Sequence, residues 1–265
     1  MFRKAGYLIM LLGLIGMISK TGYEYRYIPN ECYTRGERIL FKLHYGFINA
    51  GEAEMRIDQD IHLVNNRPCY KIDILGYSVG VFDMMLRIRD TWGSYLDTAA
   101  IISQRSYRYI EEGRYRKNEM INFDHSRQVA VLNKLDKHTK ELVEKVEYQI
   151  PENVQDLVSG YYYLRTIDYN SLPEGTKIKV TGFFDKELYH MEIKYLGKER
   201  LKTKLGHYDA LVMSPVMPDN KMFDGENSIK VWLSDDQYKI PLKIKAKMFV
   251  GAVEVDIIEY QKGTE

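Results

Sequence analysis

The sequence predicts a mainly β protein: a large curved antiparallel sheet or half-open barrel, built as a meander, with one helix packed against it. Three observations predict this class. Apolar and polar residues alternate over many segments such as 38–47, the turns between segments are short, and only 153–169 has the spacing of an amphipathic helix. Strands that follow one another directly form meanders rather than alternating strands and helices. A sheet this long should curl.

The segment 153–169 is predicted to be the helix because its apolar residues recur at the spacing of one helical face. Asn153 is expected to cap the first turn, and Asp156 to complete a capping box. We expect the helix to lie on the concave side of the sheet. The residues of its apolar face are Val154, Leu157, Val158, Tyr161 and Leu164.

The residue pattern of the last predicted hairpin indicates how its two strands pair. A two-residue turn would place Lys245 opposite Asp256 and Lys247 opposite Glu254, so that charges share one face and apolar residues the other. A four-residue loop stays open as the alternative, because Val250 would need an unfavourable positive φ in the tighter turn.

Residues 1–22 have the features of an export signal. Arg3 and Lys4 precede an apolar run, 5–18, of 14 residues, which is too short for a comfortable membrane span. The cleavage site is poor, so an uncleaved inner-membrane anchor is the alternative. Residues 23–265 are then predicted to form a single β-rich domain in the periplasm or cell envelope.

Composition excludes some classes of partner. Without residues 1–22 the chain has 35 Lys and Arg against 37 Asp and Glu, a balance that gives no electrostatic footprint for nucleic acid and no strong attraction to anionic lipid. Contact with a membrane is expected only by proximity or through an uncleaved anchor. The 22 tyrosines suit half-buried strand positions, where the ring packs and the hydroxyl stays hydrated.

Two cysteines, Cys32 and Cys69, leave two alternatives open. In an oxidising compartment they could form one disulfide, and otherwise they are two buried free thiols. Neither these cysteines nor the six histidines have the spacing of metal ligands, so no metal site is predicted.

The sequence contains no catalytic motif, and we predict neither catalytic residues nor a cofactor. Ser159-Gly160 lies within the predicted helix, where small residues suit close packing, and the glycines form no phosphate-binding loop. Arg87 and Arg89 share one face of a segment and could meet an anionic ligand, although a solvated face is the simpler interpretation.

Several short motifs in a fixed order carry a family resemblance. They are Gly36-Glu37, Leu43-His44-Tyr45-Gly46, Ala50-Gly51-Glu52-Ala53, Asp156-Leu157-Val158-Ser159-Gly160-Tyr161-Tyr162-Tyr163-Leu164-Arg165, Gly206-His207-Tyr208, Val231-Trp232-Leu233-Ser234-Asp235-Asp236 and Ile240-Pro241-Leu242. Over about 36–258 the chain resembles the exported bacterial family called domain of unknown function 3108. This resemblance implies an envelope protein of no established activity, similar in design to the open sheet plus helix of periplasmic lipoprotein carriers.

The leading functional hypothesis is a non-enzymatic envelope protein that binds a lipid, an acyl chain or a lipidated partner protein in an apolar cavity. The alternatives are a structural or interaction scaffold that uses a sheet edge or the loop 217–227, and a hydrolase acting on envelope material. The side chains expected to line the cavity are Tyr161, Leu164, Phe183, Met191, Trp232 and Met248.

Overall fold

The computed structural model describes residues 23–216, 227–248 and 251–264. Within these ranges the chain forms fourteen strands, two α-helices and one 3-10 helix. The helices are α1 (Gly80–Met85) and α2 (Leu157–Arg165), and the 3-10 helix is Tyr169–Ser171. The strands are β1 (Arg38–Tyr45), β2 (Ile48–Val64), β3 (Arg67–Ser78), β4 (Arg89–Asp97), β5 (Ser103–Glu112), β6 (Tyr115–Asp124), β7 (Val129–Leu135), β8 (Leu142–Gln149), β9 (Lys177–Phe184), β10 (Glu187–Thr203), β11 (Gly206–Pro215), β12 (Ile229–Ser234), β13 (Pro241–Lys247) and β14 (Ala252–Gln261).

All fourteen strands belong to one antiparallel sheet, which confirms the predicted fold class. The strand order is β8-β7-β6-β5-β4-β3-β2-β1-β14-β13-β12-β11-β10-β9. Two meanders therefore meet where β1 pairs with β14, and β8 and β9 are the outer strands. The helix α2 lies on the connection that carries the chain from one outer strand to the other.

The sheet curls but does not close into a barrel. The helix α2 contacts both β4 and β9, which are nine strands apart in the sheet. Ion pairs help to hold the two sides together: Asp185, after β9, accepts hydrogen bonds from Arg108 of β5 at 2.7 Å and from Lys117 of β6 at 2.8 Å. Charged side chains thus join strands that no backbone ladder connects.

The helix α2 begins later than the sequence predicts. Its N-cap is Asp156, whose carboxylate accepts from Val158 N at 2.7 Å and Ser159 N at 3.0 Å. The predicted cap at Asn153 is wrong, because Asn153 has a φ of 56° and the residues after it pair with β9 instead. Gln155 N donates to Thr181 O at 2.9 Å, so residues predicted to form the first helical turn pair with the outer strand β9 instead.

The connections between strands lie at two ends of the sheet. We call the end with 46–47, 79–88 and 113–114 the open end, and the end with 65–66, 98–102 and 235–240 the helix end. The helix α2 lies towards the helix end, where Val158 and Tyr162 are buried in the main core. The strand residues of that core include Ile39, Ile57, Ile72 and Leu96.

The last hairpin, β13 and β14, has the predicted faces but not the predicted partners. Lys245 lies opposite Glu254 and Lys243 opposite Asp256, two residues from the predicted register, which was wrong. The four-residue connection left open in the sequence is the one found, with Met248 N donating to Gly251 O at 3.1 Å. Because side chains alternate with a period of two, a shift of two residues keeps every side chain on its face.

Both cysteines are buried free thiols, so the disulfide considered from the sequence is not formed. Cys32 Sγ donates to Arg165 O at 3.0 Å, and Cys69 Sγ donates to Arg67 O at 3.3 Å. The thiols therefore belong to different parts of the structure.

The predicted export signal, 1–22, and most of the predicted loop 217–227 lie outside the described residues. In the part of the chain that is described, no helix is both long and apolar enough to cross a membrane.

Candidate functional site

A cavity of about 1020 Å³ lies between the sheet and the short helix α1, towards the open end. Strands β1 to β4 and β14 form its walls, and α1 covers part of it. Small-molecule sites in proteins measure roughly 300–1,000 Å³, so this cavity is at the upper end of that range. Its apolar side chains include Leu43, Ile74, Phe82, Leu86, Ile88, Trp92, Met248 and Val253.

Among the described residues, only the short helix α1 lies at the open end, and small residues line the wall of the cavity. The core around α2 uses Ile39 of β1, whereas Leu43 lies further along the same strand and faces the cavity. At Gly76 an added Cβ would meet no atom within 4 Å. Protein interiors are normally close-packed, so an apolar space of this size is an exception.

A polar network fastens α1 beside the cavity. Ser78 Oγ donates to Asp83 Oδ1 at 2.6 Å, and Arg89 Nη1 donates to the same oxygen at 2.7 Å. Ser78 Oγ also accepts from Ile88 N at 2.9 Å. The carboxylate of Asp83 thereby ties α1 to the end of β3 and the start of β4.

Asp90 is the acidic residue in the cavity wall. Burial raises the pKa of its carboxyl group above the ordinary value, and the nearby carboxylates of Glu112 and Glu111 act in the same direction, against a hydrogen bond that Glu111 N donates at 3.0 Å. An apolar cavity with a few polar groups at one side suits a ligand with a long apolar part and a small polar head.

The structure brings one of the six candidate side chains, Met248, to this cavity. Tyr161 and Leu164 pack in a core around Tyr169, and Phe183 is buried in another core. Trp232 is buried in the main core, and its Nε1 donates to Glu199. Met191 and Phe183 border a separate cleft of about 210 Å³ beside Leu157.

Apart from Met248, the candidate side chains do not line the cavity, because the fold uses most of its large apolar side chains to fill its cores. The signal that could have found the cavity is the pair Gly51 and Gly76, on neighbouring strands of otherwise alternating pattern. A glycine inside a strand weakens the strand, so it often marks a place where something approaches closely.

A group of side chains with metal-ligand chemistry lies on the sheet near β1 and β14. His44 Nε2 is 2.7 Å from Asp256 Oδ2, and Glu254 lies beside them. Two lysines, however, already bind these carboxylates: Lys245 Nζ lies 2.7 Å from Glu254, and Lys243 Nζ lies 3.1 Å from Asp256. The group is therefore a network of cross-strand ion pairs.

The fold and the cavity define a class of protein: an open, barrel-like antiparallel sheet around one helix, with an apolar cavity at one end. The model of the family described as protein of unknown function DUF3108 matches residues 40–258, and the chain belongs to that family. No curated protein matches the chain significantly.

Three solved structures are similar to the chain at very low sequence identity. A β-barrel-like protein of domain of unknown function DUF1849 from Brucella abortus has a TM-score of 0.56 and 7% identity, over 90% of this chain and 99% of that one. A candidate lipoprotein from Parabacteroides distasonis has a TM-score of 0.35 and 10% identity, over 90% of this chain and all of that one. A candidate exported protein from Bacteroides fragilis has a TM-score of 0.33 and 9% identity at similar coverage. The first of these likenesses supports the fold, and none carries a function.

Proposed function

We propose that this protein is a non-enzymatic binder of an acyl chain, presented by a lipid or by a lipidated partner protein in the cell envelope. The observation that carries the proposal is the apolar cavity of about 1020 Å³ at the open end. Each methylene group moved from water into such a site contributes about 0.8 kcal/mol. A long chain thus gains affinity from the cavity without specific polar contacts.

The geometry gives the ligand an orientation. Its apolar chain would lie against Ile74 and Trp92, which pair across β3 and β4 further from the open end than Ser78. Its polar head would remain near Ser78 and Asp90, beside the anchored helix α1. Export of the protein, inferred from residues 1–22, belongs to this proposal because it places the cavity where envelope lipids are found.

One observation favours the alternative of an envelope scaffold. The outer strand β8 exposes Leu142 and Val143, each about three-fifths exposed, at an edge of the sheet. Exposed edge strands can pair with a strand of another protein. Charged residues follow these two side chains along β8, whereas the cavity wall is mainly apolar, so acyl-chain binding is the better-supported function.

The test begins with protein purified from the periplasm without detergent. Native mass spectrometry, followed by solvent extraction, should find a co-purified lipid or fatty acid, and the emptied protein should bind cis-parinaric acid with a rise in fluorescence. The variant Gly76→Leu should lose most of this binding, because its side chain projects into the open space beside Gly76.

The matched control is Leu63→Phe, which adds bulk to an exposed side chain at the helix end of the neighbouring strand. It should bind the probe like the parent protein. A protein that is empty as isolated and takes up no cis-parinaric acid would end the acyl-chain proposal and leave the scaffold ahead.

A further inference from the structure

The outer surface around the cavity opening carries a group of exposed apolar side chains, which we call the apolar rim. Helix α1 turns Phe82 into the cavity and leaves its other apolar residues facing outwards, with Met84 at 87% and Met85 at 79% exposure. The turn between β1 and β2 adds a fully exposed phenylalanine. The members of the rim are Phe47, Ile48, Val81, Met84, Met85 and Leu86.

These side chains belong to neighbouring parts of the fold, so they form one surface. Helix α1 contacts β2, and Val79 N donates to Ala50 O at 3.1 Å. Leu86, at the end of α1, also lies against Gly113 in the turn between β5 and β6. A contiguous exposed apolar surface on a protein marks a place that meets an apolar partner.

The charges around the rim indicate which partner this is. Arg87, Arg114 and Lys247 are exposed at the open end, and within the described ranges none of them forms an ion pair, although Arg87 is near enough to Asp83 to help lower the pKa of that carboxyl group. The other charges beside the rim largely cancel, since Arg89 binds Asp83 and Arg116 lies 3.6 Å from Glu111, and Glu112 is an exposed carboxylate next to them. The rim therefore combines outward apolar side chains with a positive border.

We infer that the apolar rim docks the protein onto the surface of an anionic lipid bilayer. Apolar side chains with basic neighbours enter the boundary between headgroups and acyl chains, and Tyr115, about half exposed near Arg114, has the amphipathic ring that suits this depth. Docking in this orientation brings the cavity opening to the bilayer. A chain could then pass between membrane and cavity without crossing water. The inference goes beyond the proposed ligand and is tested separately from it.

The experiment uses a fluorescent reporter at a single position, so that any membrane binding by residues 1–22 does not decide the result. The variant Met84→Cys is labelled with NBD, and Cys32 and Cys69 are buried and should not react in the folded protein. Vesicles of phosphatidylglycerol and phosphatidylethanolamine should increase and blue-shift the NBD emission, and vesicles of phosphatidylcholine should do so much less. A label at Leu63→Cys, at the helix end, should not respond.

Three further variants separate the apolar and charged contributions. Replacing Phe47 and Met85 by serine should abolish the response of the label at position 84. Arg87→Gln and Arg114→Gln should each weaken vesicle binding about fivefold at low salt. Cis-parinaric acid binding in solution should be unchanged in all of them, because none of these residues lines the cavity.

Two results would overturn the inference. The first is an equal response of the labels at positions 84 and 63 to anionic vesicles, or no response of either. The second is an NBD shift at position 84 that depends on protein concentration without vesicles, which would mean that a second copy covers the rim. If the parent protein docks on anionic vesicles but does not bind cis-parinaric acid, that result contradicts only the proposed cavity ligand.

Discussion

Arg165 and Glu37 form a bidentate ion pair that is almost completely withdrawn from water. Arg165 Nη1 and Nη2 donate to the two oxygens of Glu37 at 2.7 and 2.8 Å, and the side chains are 0% and 1% exposed. Nη2 also donates to Tyr238 O at 2.9 Å, and the guanidinium lies over the rings of Tyr33 and Tyr162. The pair connects the last residue of α2 to the residue before β1, in the middle of the sheet.

We expect Glu37→Gln to destabilise the protein by about 3–5 kcal/mol, because removing one partner leaves the charge of Arg165 buried without compensation. Burial acts to lower the pKa of Arg165, but the attraction of Glu37 and the hydrogen bonds to it outweigh burial and raise that pKa, so Arg165 is charged in the folded protein. Urea unfolding followed by circular dichroism measures the loss.

The matched control for this pair is the double variant Glu37→Leu with Arg165→Met, which removes both charges. It should recover much of the stability lost in Glu37→Gln, because a buried ion pair replaced by apolar groups of similar size is often tolerated. If the free energy of unfolding of Glu37→Gln were within about 1 kcal/mol of that of the parent, the pair would not be isolated from water.

The fold could be predicted from the sequence because alternation of apolar and polar residues reports directly on which face of a sheet is buried. The hairpin of β13 and β14 shows the limit of this signal: a shift of two residues preserves the faces, so the pattern cannot choose between the two registers. The start of α2 was misplaced because β9, far along the chain, pairs with the segment around Gln155. Local capping preferences contain no information about such a partner.

The cap of α2 gives a second prediction. Asp156→Ala should cost about 0.5–2 kcal/mol, because two backbone donors of the first turn lose their acceptor. The same carboxylate accepts from Ser94 Oγ at 2.7 Å, so the loss should be towards the upper end. Asp156→Asn, which keeps a side-chain oxygen at the cap, should cost clearly less. Equal losses for Ala and Asn in urea unfolding would mean that the negative charge, rather than the cap, is what the site requires.

Stability should fall in acid through Glu254. Partial burial acts to raise the pKa of this carboxyl group, but hydrogen bonds and attraction from Lys243 and Lys245 prevail and lower it from 4.5 to about 2. A folded pKa below the unfolded one means that the carboxylate stabilises the protein above the unfolded value. That contribution is lost as the pH falls from 4.5 towards 2.

The measurement is the Tm of the parent and of Glu254→Gln across this pH window. Above it the parent should be more stable by about 0.2–1 kcal/mol, at the low end because the pair is partly exposed and screened. The two proteins should converge towards pH 2. A difference that stays constant with pH would exclude titration of Glu254 as its cause.

The candidate site was harder to predict than the fold, for a physical reason. Large apolar residues such as Phe183 and Trp232 fill cores, and a cavity is defined by side chains that are missing. A missing side chain has several explanations: an added Cβ at Gly93 would overlap the ring of Tyr107, whereas one at Gly76 would meet nothing. Only the positions of side chains on the neighbouring strands show whether a glycine makes room for another residue or borders a cavity.

Gly51 and Gly76 line the same cavity, and we expect alanine to have opposite effects at the two positions. Gly76→Ala should stabilise the protein by about 0.5–1 kcal/mol, because alanine costs less backbone entropy in a strand than glycine and its Cβ enters open space. At Gly51 the Cβ would lie 2.8 Å from the backbone oxygen of Tyr77, which cannot move without breaking the pairing of β2 and β3. Gly51→Ala should therefore destabilise the protein, and the Tm values of the two variants should fall on opposite sides of the parent. If both variants lowered the Tm equally, the space beside Gly76 would be filled in solution, and the cavity would be smaller than the structure shows.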